Sequence, residues 1–206
     1  KLVTGVQTCA LPISQNLALL SQAEEIESAQ KLIDENGYKE ILDIGTGSGC
    51  IAVTLAAELP EAEVTAWDIS EEVLQVATEN AKRANVHVSF AQVDILHQPS
   101  STGHPSSCII SNPPYICNKE RAKMEQNVLA HEPHLALFVP DEDPLLFYRA
   151  IALYGQKTLT SDGVLYFEIN PLYVDPLQKI LCDMGYHKTE TRQDQFGKIR
   201  MMKARR

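Results

Sequence analysis

The stretch around residues 40–49 limits the fold more than any other. A short apolar run, Glu40-Ile41-Leu42-Asp43-Ile44, breaks directly into Gly45-Thr46-Gly47-Ser48-Gly49 and then into a helical stretch that Pro60 stops. A buried strand, a glycine turn and a helix in that order make the first half of a crossover, which leads to a parallel neighbour rather than to a hairpin. The alternation continues along the chain. Residues 63–67 (EVTAW) read as a second strand and 71–83 as an amphipathic helix. Further strands fit 87–91 and 108–111, divided by the polar Pro/Ser/Gly loop 98–107. A helix over 144–159 leads to a strand at 163–169, and a last helix over 173–184 precedes strand-like tails at 187–191 and 198–204. Strands alternating with helices of this length define an α/β fold with a mostly parallel sheet.

Composition narrows the functional classes. The 206 residues allow one substantial domain, and 44% hydrophobic with 22% charged residues excludes a disordered or fibrous chain. No apolar run reaches the roughly 18–20 residues of a membrane span. With 18 Lys+Arg against 27 Asp+Glu the net charge is −9. That balance counts against strong nucleic-acid binding, which rests on clustered cations. The one basic cluster (Lys198, Arg200, Lys203, Arg205, Arg206) reads as a solvated tail. Five widely spaced cysteines without a C-x-x-C fit neither a disulfide framework nor a zinc ribbon, so each reads as a small buried apolar residue in a reducing cytoplasm. His131-x-x-His134 falls in a proline-interrupted segment without a third ligand, and no metal is expected.

Three stretches divide the chain. Residues 1–14 (KLVTGVQTCALPIS) show no clean helical or strand period and resemble the translation of a sequencing-library adaptor, so they are expected to be a non-native leader. Residues 15–39 are expected to be a helical segment before the main domain, with Leu17, Leu20, Ile26, Ala29, Leu32 and Ile33 at helical spacing and Asn36-Gly37 as its stop. Residues 40–206 carry the main domain.

The chemistry starts in the glycine turn. Its G-x-G-x-G pattern lacks the later glycine of the dinucleotide fingerprint and the G-K-[ST] ending of a P-loop. Asp68 closes the second strand, where a carboxylate can accept both ribose hydroxyls of an adenosine. Asp94, after the third strand, is placed to meet an adenine amino group. Directly after the fourth strand comes Ser111-Asn112-Pro113-Pro114-Tyr115. The prolines pre-set this loop and hold Asn112 extended. The Asn112 side-chain oxygen and the Pro113 carbonyl can then accept both hydrogens of a planar –NH2 group, with the Tyr115 ring as a stacking face. Two acceptors favour a more tetrahedral nitrogen and stabilise the positive charge that develops there, which suits methyl transfer to a delocalised amide or aniline-like nitrogen.

On these residues, together with LDIGTGSGCIA (42–52), SNPPYI (111–116), EPHLALF (132–138), DPLLFYRAI (143–151) and GVLYFEIN (163–170), the chain resembles class I S-adenosylmethionine-dependent methyltransferases. Within that class it resembles the HemK/PrmC family of release factor glutamine methyltransferases. The resemblance implies a Rossmann-like fold, a mostly parallel seven-stranded sheet with helices on both faces. It implies that Gly45, Thr46, Gly47, Ser48 and Gly49 wrap the methionine part of S-adenosylmethionine, that Asp68 binds its ribose and that Asp94 and Ile95 flank its adenine. Asn112, Pro113, Pro114 and Tyr115 would hold the target glutamine amide of the Gly-Gly-Gln loop in class 1 peptide chain release factors, with Asn112 also bordering the cofactor. The implied step is in-line displacement, the amide nitrogen attacking the sulfonium methyl. Family members carry an N-terminal helical docking domain and a Pro-Arg-Pro-Glu-Thr stretch; here SQAEEI (21–26) stands where that stretch should end. A monomeric cytoplasmic enzyme with the release factor as protein partner is expected.

Two other readings share the motifs. One is a nucleic-acid amino-methyltransferase acting on adenine N6 or guanine N2, which uses the same Asn-Pro-Pro-Tyr chemistry. The other is a cofactor-binding scaffold without catalysis.

Overall fold

A computed structural model describes residues 39–97, 105–123, 137–194 and 196–206. The expected leader, nearly all of the helical segment 15–39, most of the loop 98–107 and the His131/His134 pair lie outside the described residues. Strand β1 (Glu40–Ile44) passes through the glycine turn into α1 (Cys50–Glu58), then β2 (Glu63–Asp68), α2 (Glu71–Ala84) and β3 (Ser89–Gln92). β4 (Ser106–Ser111) and the short β5 (Ile116–Cys117) and β6 (Phe138–Val139) come next. The chain then forms α3 (Leu146–Thr158), β7 (Leu159–Glu168), α4 (Val174–Asp183), β8 (His187–Gln193) and β9 (Ile199–Arg205).

Seven strands form one sheet in the order β3-β2-β1-β4-β7-β9-β8, and β5 pairs with β6 apart from it. The first five strands of that order run parallel, and β9 enters antiparallel to both β7 and β8. Successive strand side chains face opposite sides, so the sheet carries two cores. Ile41, Val64, Ala66, Cys108, Ile110 and Val164 pack with Ile51 and Leu55 of α1. Leu42, Ile44, Ile109, Leu165 and Phe167 face the other way, against Tyr148 and Ile151 of α3 and Leu177 and Leu181 of α4. Burial on both faces is why these strands read as continuous apolar runs. The expected seven-stranded, mostly parallel Rossmann-like sheet with helices on both sides is present.

Helix α3 presses close to Tyr186. A Cβ added at Gly155 would lie 2.5 Å from the Tyr186 hydroxyl and 3.0 Å from Leu165 Cδ2. That hydroxyl donates to the Ala152 carbonyl at 2.8 Å, and Tyr186 is fully buried, so it has nowhere to retreat. Gly155→Ala is therefore expected to lose up to about 2 kcal/mol, overpacking of about 1–3 kcal/mol set against a helix-propensity gain of about 1 kcal/mol. Thermal melts should show that loss, and adding Tyr186→Phe to the variant should recover part of it.

Several sequence expectations need correction. The basic C-terminal cluster is not a free tail: Arg200, Lys203 and Arg205 lie in β9, where Lys203 is buried and reaches Glu190 at 3.8 Å, while Lys198 and Arg206 flank the strand exposed and the Arg206 guanidinium donates to the Leu159 carbonyl. Alternating basic residues look solvated in sequence because the flanking strands that cover them lie elsewhere in the chain. Among the described cysteines Cys108 and Cys117 are buried as expected, but Cys50 is half-buried and Cys182 is exposed on α4. β4 starts at Ser106, inside the predicted loop, because the Ser107 hydroxyl accepts from the Lys39 and Glu40 amides and donates to the Glu40 carbonyl. β7 starts at Leu159, directly after α3, with a register shift opposite Ser106 and Cys108.

Candidate active site

All the chemistry gathers at the C-terminal edge of the parallel strands. Ile44 stands in register with Trp67 on one side and Ser111 on the other, so β1, β2 and β4 end at one level. Neighbouring crossovers leave that edge in opposite directions between β1 and β4, the switch point at which open α/β sheets bind ligands. The Ser111 hydroxyl donates to the Ile44 carbonyl at 2.6 Å and locks the two strand ends together.

The glycine turn folds back over β2. The Gly45 and Thr46 amides both donate to the Trp67 carbonyl, at 2.8 and 2.9 Å. Gly45 has φ 75°, and a Cβ there would come 4.0 Å from the Asn112 carbonyl, so the glycine turn and the Asn-Pro-Pro-Tyr loop are in near contact. Gly49, at φ 81°, begins α1 without any side-chain cap, which leaves first-turn amides facing the turn. Asn80 of α2 donates to the Ser48 carbonyl at 2.9 Å and braces the loop from behind.

Asp68 is brought to this loop. Its Oδ2 accepts from the Gly47 amide at 2.9 Å and its Oδ1 from the Ser70 amide at 3.0 Å. A carboxylate has about four lone-pair positions. The two amides orient the group and leave one position on each oxygen for a diol. Asp94 is more occupied: it accepts from the Leu96 amide at 2.9 Å and contacts the His97 ring at 2.7 Å. Burial works to raise the Asp94 carboxyl, but the His97 ring and the Leu96 amide outweigh it and hold it below the usual value. That turn places half-buried Ile95 against the α3-side core.

Sequence reasoning missed Asp43. It is fully buried under the glycine turn, and its Oδ2 accepts from the Thr46 hydroxyl at 2.6 Å. Burial raises its carboxyl to about 7, against the opposing effect of the Thr46 hydroxyl and the Ala52 amide, with a smaller upward push from the Asp68 charge. An acid within Ile-Leu-Asp-Ile was the available signal. Because the folded-state value is raised, the folded protein keeps a proton that the unfolded chain releases, and stability falls as pH rises from about 4 to about 7. Asp43→Asn should abolish that slope and gain on the wild type by up to about 4 kcal/mol at neutral pH. Urea unfolding at a series of pH values measures it; parallel pH profiles for the two proteins would refute the assignment.

The Asn-Pro-Pro-Tyr loop leaves β4 beside Gly45. Pro113 is buried; Asn112, Pro114 and Tyr115 are half-buried. Among the described residues no group hydrogen-bonds the Asn112 side chain, whereas Tyr115 is firmly held. Its hydroxyl donates to Glu168 Oε1 at 2.8 Å, and its carbonyl accepts from Asn170 Nδ2 at 3.3 Å. Burial first, and then the Glu168 charge, push the Tyr115 phenol well above its ordinary value, so it remains a hydrogen-bond donor at any physiological pH. The DPLLFYRAI segment supports this end of β7. Arg149 forks onto Asp143 at 2.7 and 3.2 Å, and the Tyr148 hydroxyl donates to the Glu168 carbonyl at 2.9 Å. No group of three or more metal-ligating side chains occurs among the described residues, and no helix among them is long and apolar enough to cross a membrane.

A parallel sheet with one inserted antiparallel strand, a glycine turn after β1, an acid after β2 and Asn-Pro-Pro-Tyr after β4 defines a Rossmann-like methyltransferase. Residues 26–136 match the methyltransferase small domain family. A ribosomal protein L11 methylase from Lactobacillus delbrueckii subsp. bulgaricus shares the fold, with a TM-score of 0.62 at 16% identity over 90% of this chain and 77% of that one. The chain is 44% identical over 189 residues to a release factor glutamine methyltransferase of Bacteroides thetaiotaomicron, covering 91% of this chain and 68% of that protein. It is 41% identical over 191 residues to one from Flavobacterium psychrophilum, covering 90% and 67%. The chain belongs to the release factor glutamine methyltransferase family.

Proposed function

We propose that this chain transfers a methyl group from S-adenosylmethionine to the side-chain amide nitrogen of the Gly-Gly-Gln glutamine in class 1 peptide chain release factors, residues 40–206 forming the catalytic unit. The observation that carries the reading is the approach of the Asn-Pro-Pro-Tyr loop to Gly45, one strand away from Asp68, with the Asn112 side chain uncommitted among the described residues.

The residues present fit the cofactor. Asp68 retains an acceptor position on each oxygen for the ribose hydroxyls, the turn at residues 45–49 offers a surface without side-chain bulk at its glycines, and Asp94 with Ile95 borders the adenine. Bound there, the cofactor supplies an electrophilic methyl group. This chain's own groups do the rest. Asn112 and the Pro113 carbonyl accept the two amide hydrogens, which draws the nitrogen out of conjugation and stabilises the charge that grows on it. Tyr115 keeps the amide plane in place, and alignment of the reacting atoms supplies much of the rate gain. The proton leaves after attack, so no side chain need act as a base.

Radiolabelled S-adenosylmethionine offered in parallel with purified release factor, DNA and ribosomal RNA tests the substrate. Label on the release factor, lost when its Gly-Gly-Gln glutamine is replaced, is expected. Label only on nucleic acid would overturn the proposal.

A further inference from the structure

Glu168 closes β7, the strand beside β4, with Phe167 in register with Ser111. It is 6% exposed. Its Oε1 accepts from Tyr115, while Oε2 is buried without a hydrogen-bond partner among the described residues. A buried acceptor left unsatisfied costs stability, and apolar residues of similar size in place of both partners of the Tyr115–Glu168 pair would remove that cost. The fold therefore has no need of a carboxyl here for its own sake. What the carboxyl does is hold one phenol. Asn170, two residues on, holds the carbonyl of the same tyrosine and also approaches Glu120 at 3.4 Å, whose Oε2 accepts from the Cys117 amide at 3.0 Å. The ring and the backbone of Tyr115 are thus fixed separately from the end of β7.

We propose that Glu168 is a positioning residue that sets the Tyr115 ring against the target amide, at some expense to the stability of the fold. The proposal rests on the methyl-transfer reading of the site. It deepens that reading by adding a residue that touches neither cofactor nor substrate. Among the described residues the carboxyl is hydrogen-bonded to the Tyr115 hydroxyl alone, so Tyr115→Phe and Glu168→Leu cut the same link from its two ends.

The test is a double-mutant cycle on the full chain with Glu168→Leu, Tyr115→Phe and the double variant, plus Glu168→Gln, which keeps one acceptor for the phenol. For release-factor methylation, each single break is expected to lower kcat by about 10²-fold, with the KM for S-adenosylmethionine nearly unchanged and the double variant no worse than either single one. Glu168→Gln should retain more activity than Glu168→Leu, and the melting temperature of the double variant, which removes the phenol and the carboxyl together, should equal or exceed that of the wild type. Additive losses in the cycle, or wild-type kcat in Glu168→Leu, would overturn the proposal, and so would loss of activity that merely follows loss of folded protein. Carbon-13 NMR of labelled tyrosine, with Tyr115 assigned by its loss in Tyr115→Phe, gives a readout free of any substrate. Glu168→Leu is expected to shift or broaden the Tyr115 signal, and an unchanged signal would refute the positioning role. A wild type that leaves release factor unmethylated would instead sink the methyl-transfer reading, with the NMR comparison still deciding whether Glu168 sets the ring.

Discussion

Asn112→Ala is expected to lower kcat for release-factor methylation by about 10²–10³-fold, the scale of removing one preorganised hydrogen-bonding group from the seat of developing charge. The alanine leaves the Pro113 carbonyl as a single acceptor, so one amide hydrogen has no partner and the nitrogen lone pair stays conjugated. Cofactor affinity should remain close to the wild type, because Asp68 and the turn at residues 45–49 are untouched. The fold should survive as well: Asn112 is half-buried, and among the described residues its side chain holds nothing in place. Calorimetric titration with S-adenosylmethionine, thermal melts and single-turnover methylation separate these effects. Methylation within a few-fold of the wild type would remove Asn112 from the chemistry and favour a scaffold role for the protein.

Gly49→Ala is expected to be the most damaging small substitution in the fold. At φ 81° an L-residue is strained by about 1–2 kcal/mol. The added Cβ would also lie 2.9 Å from Ala77 Cβ and 3.3 Å from Ala77 Cα. Ala77 is fully buried in α2, so relief requires moving helix backbone, an overpacking cost of about 1–3 kcal/mol. Together these suggest a loss of about 2–5 kcal/mol, a large share of a typical domain stability of about 5–15 kcal/mol. The urea midpoint should fall with little change in slope. A variant as stable as the wild type would mean that α1 and α2 do not meet at this turn.

The parts of this architecture that repeat locally were legible in the sequence. Apolar runs at 41–44 and 163–169, glycine between strand and helix, and Asp68 at a strand end announce themselves within a few residues, because strand burial and turn geometry are local demands. The Asn-Pro-Pro-Tyr loop was legible for the same reason. What escaped depends on partners distant in the chain. Tyr115 and Glu168 are 53 positions apart, and no period links them. Asp43 stands in an apolar run that hints at burial, but nothing in the sequence says that the glycine turn closes over it. The two C-terminal strands were foreseen, but nothing in 198–204 says that this segment lies between β7 and β8, and its two lysines and one arginine pointed to solvent instead.

The placement of β9 bears on the order in which the molecule can be assembled. β8 emerges from the ribosome before β9, yet among the described residues β9 is its only neighbour in the sheet. Until the residues of β9 have been synthesised, β8 has no strand to pair with and the outer edge of β7 lies open. At about 5–20 residues per second of synthesis, the parallel half of the sheet can form while this side still presents unpaired backbone, the kind of edge that recruits other chains. Frameshifts or truncations that remove only the last strand should therefore produce aggregation rather than a slightly weakened enzyme.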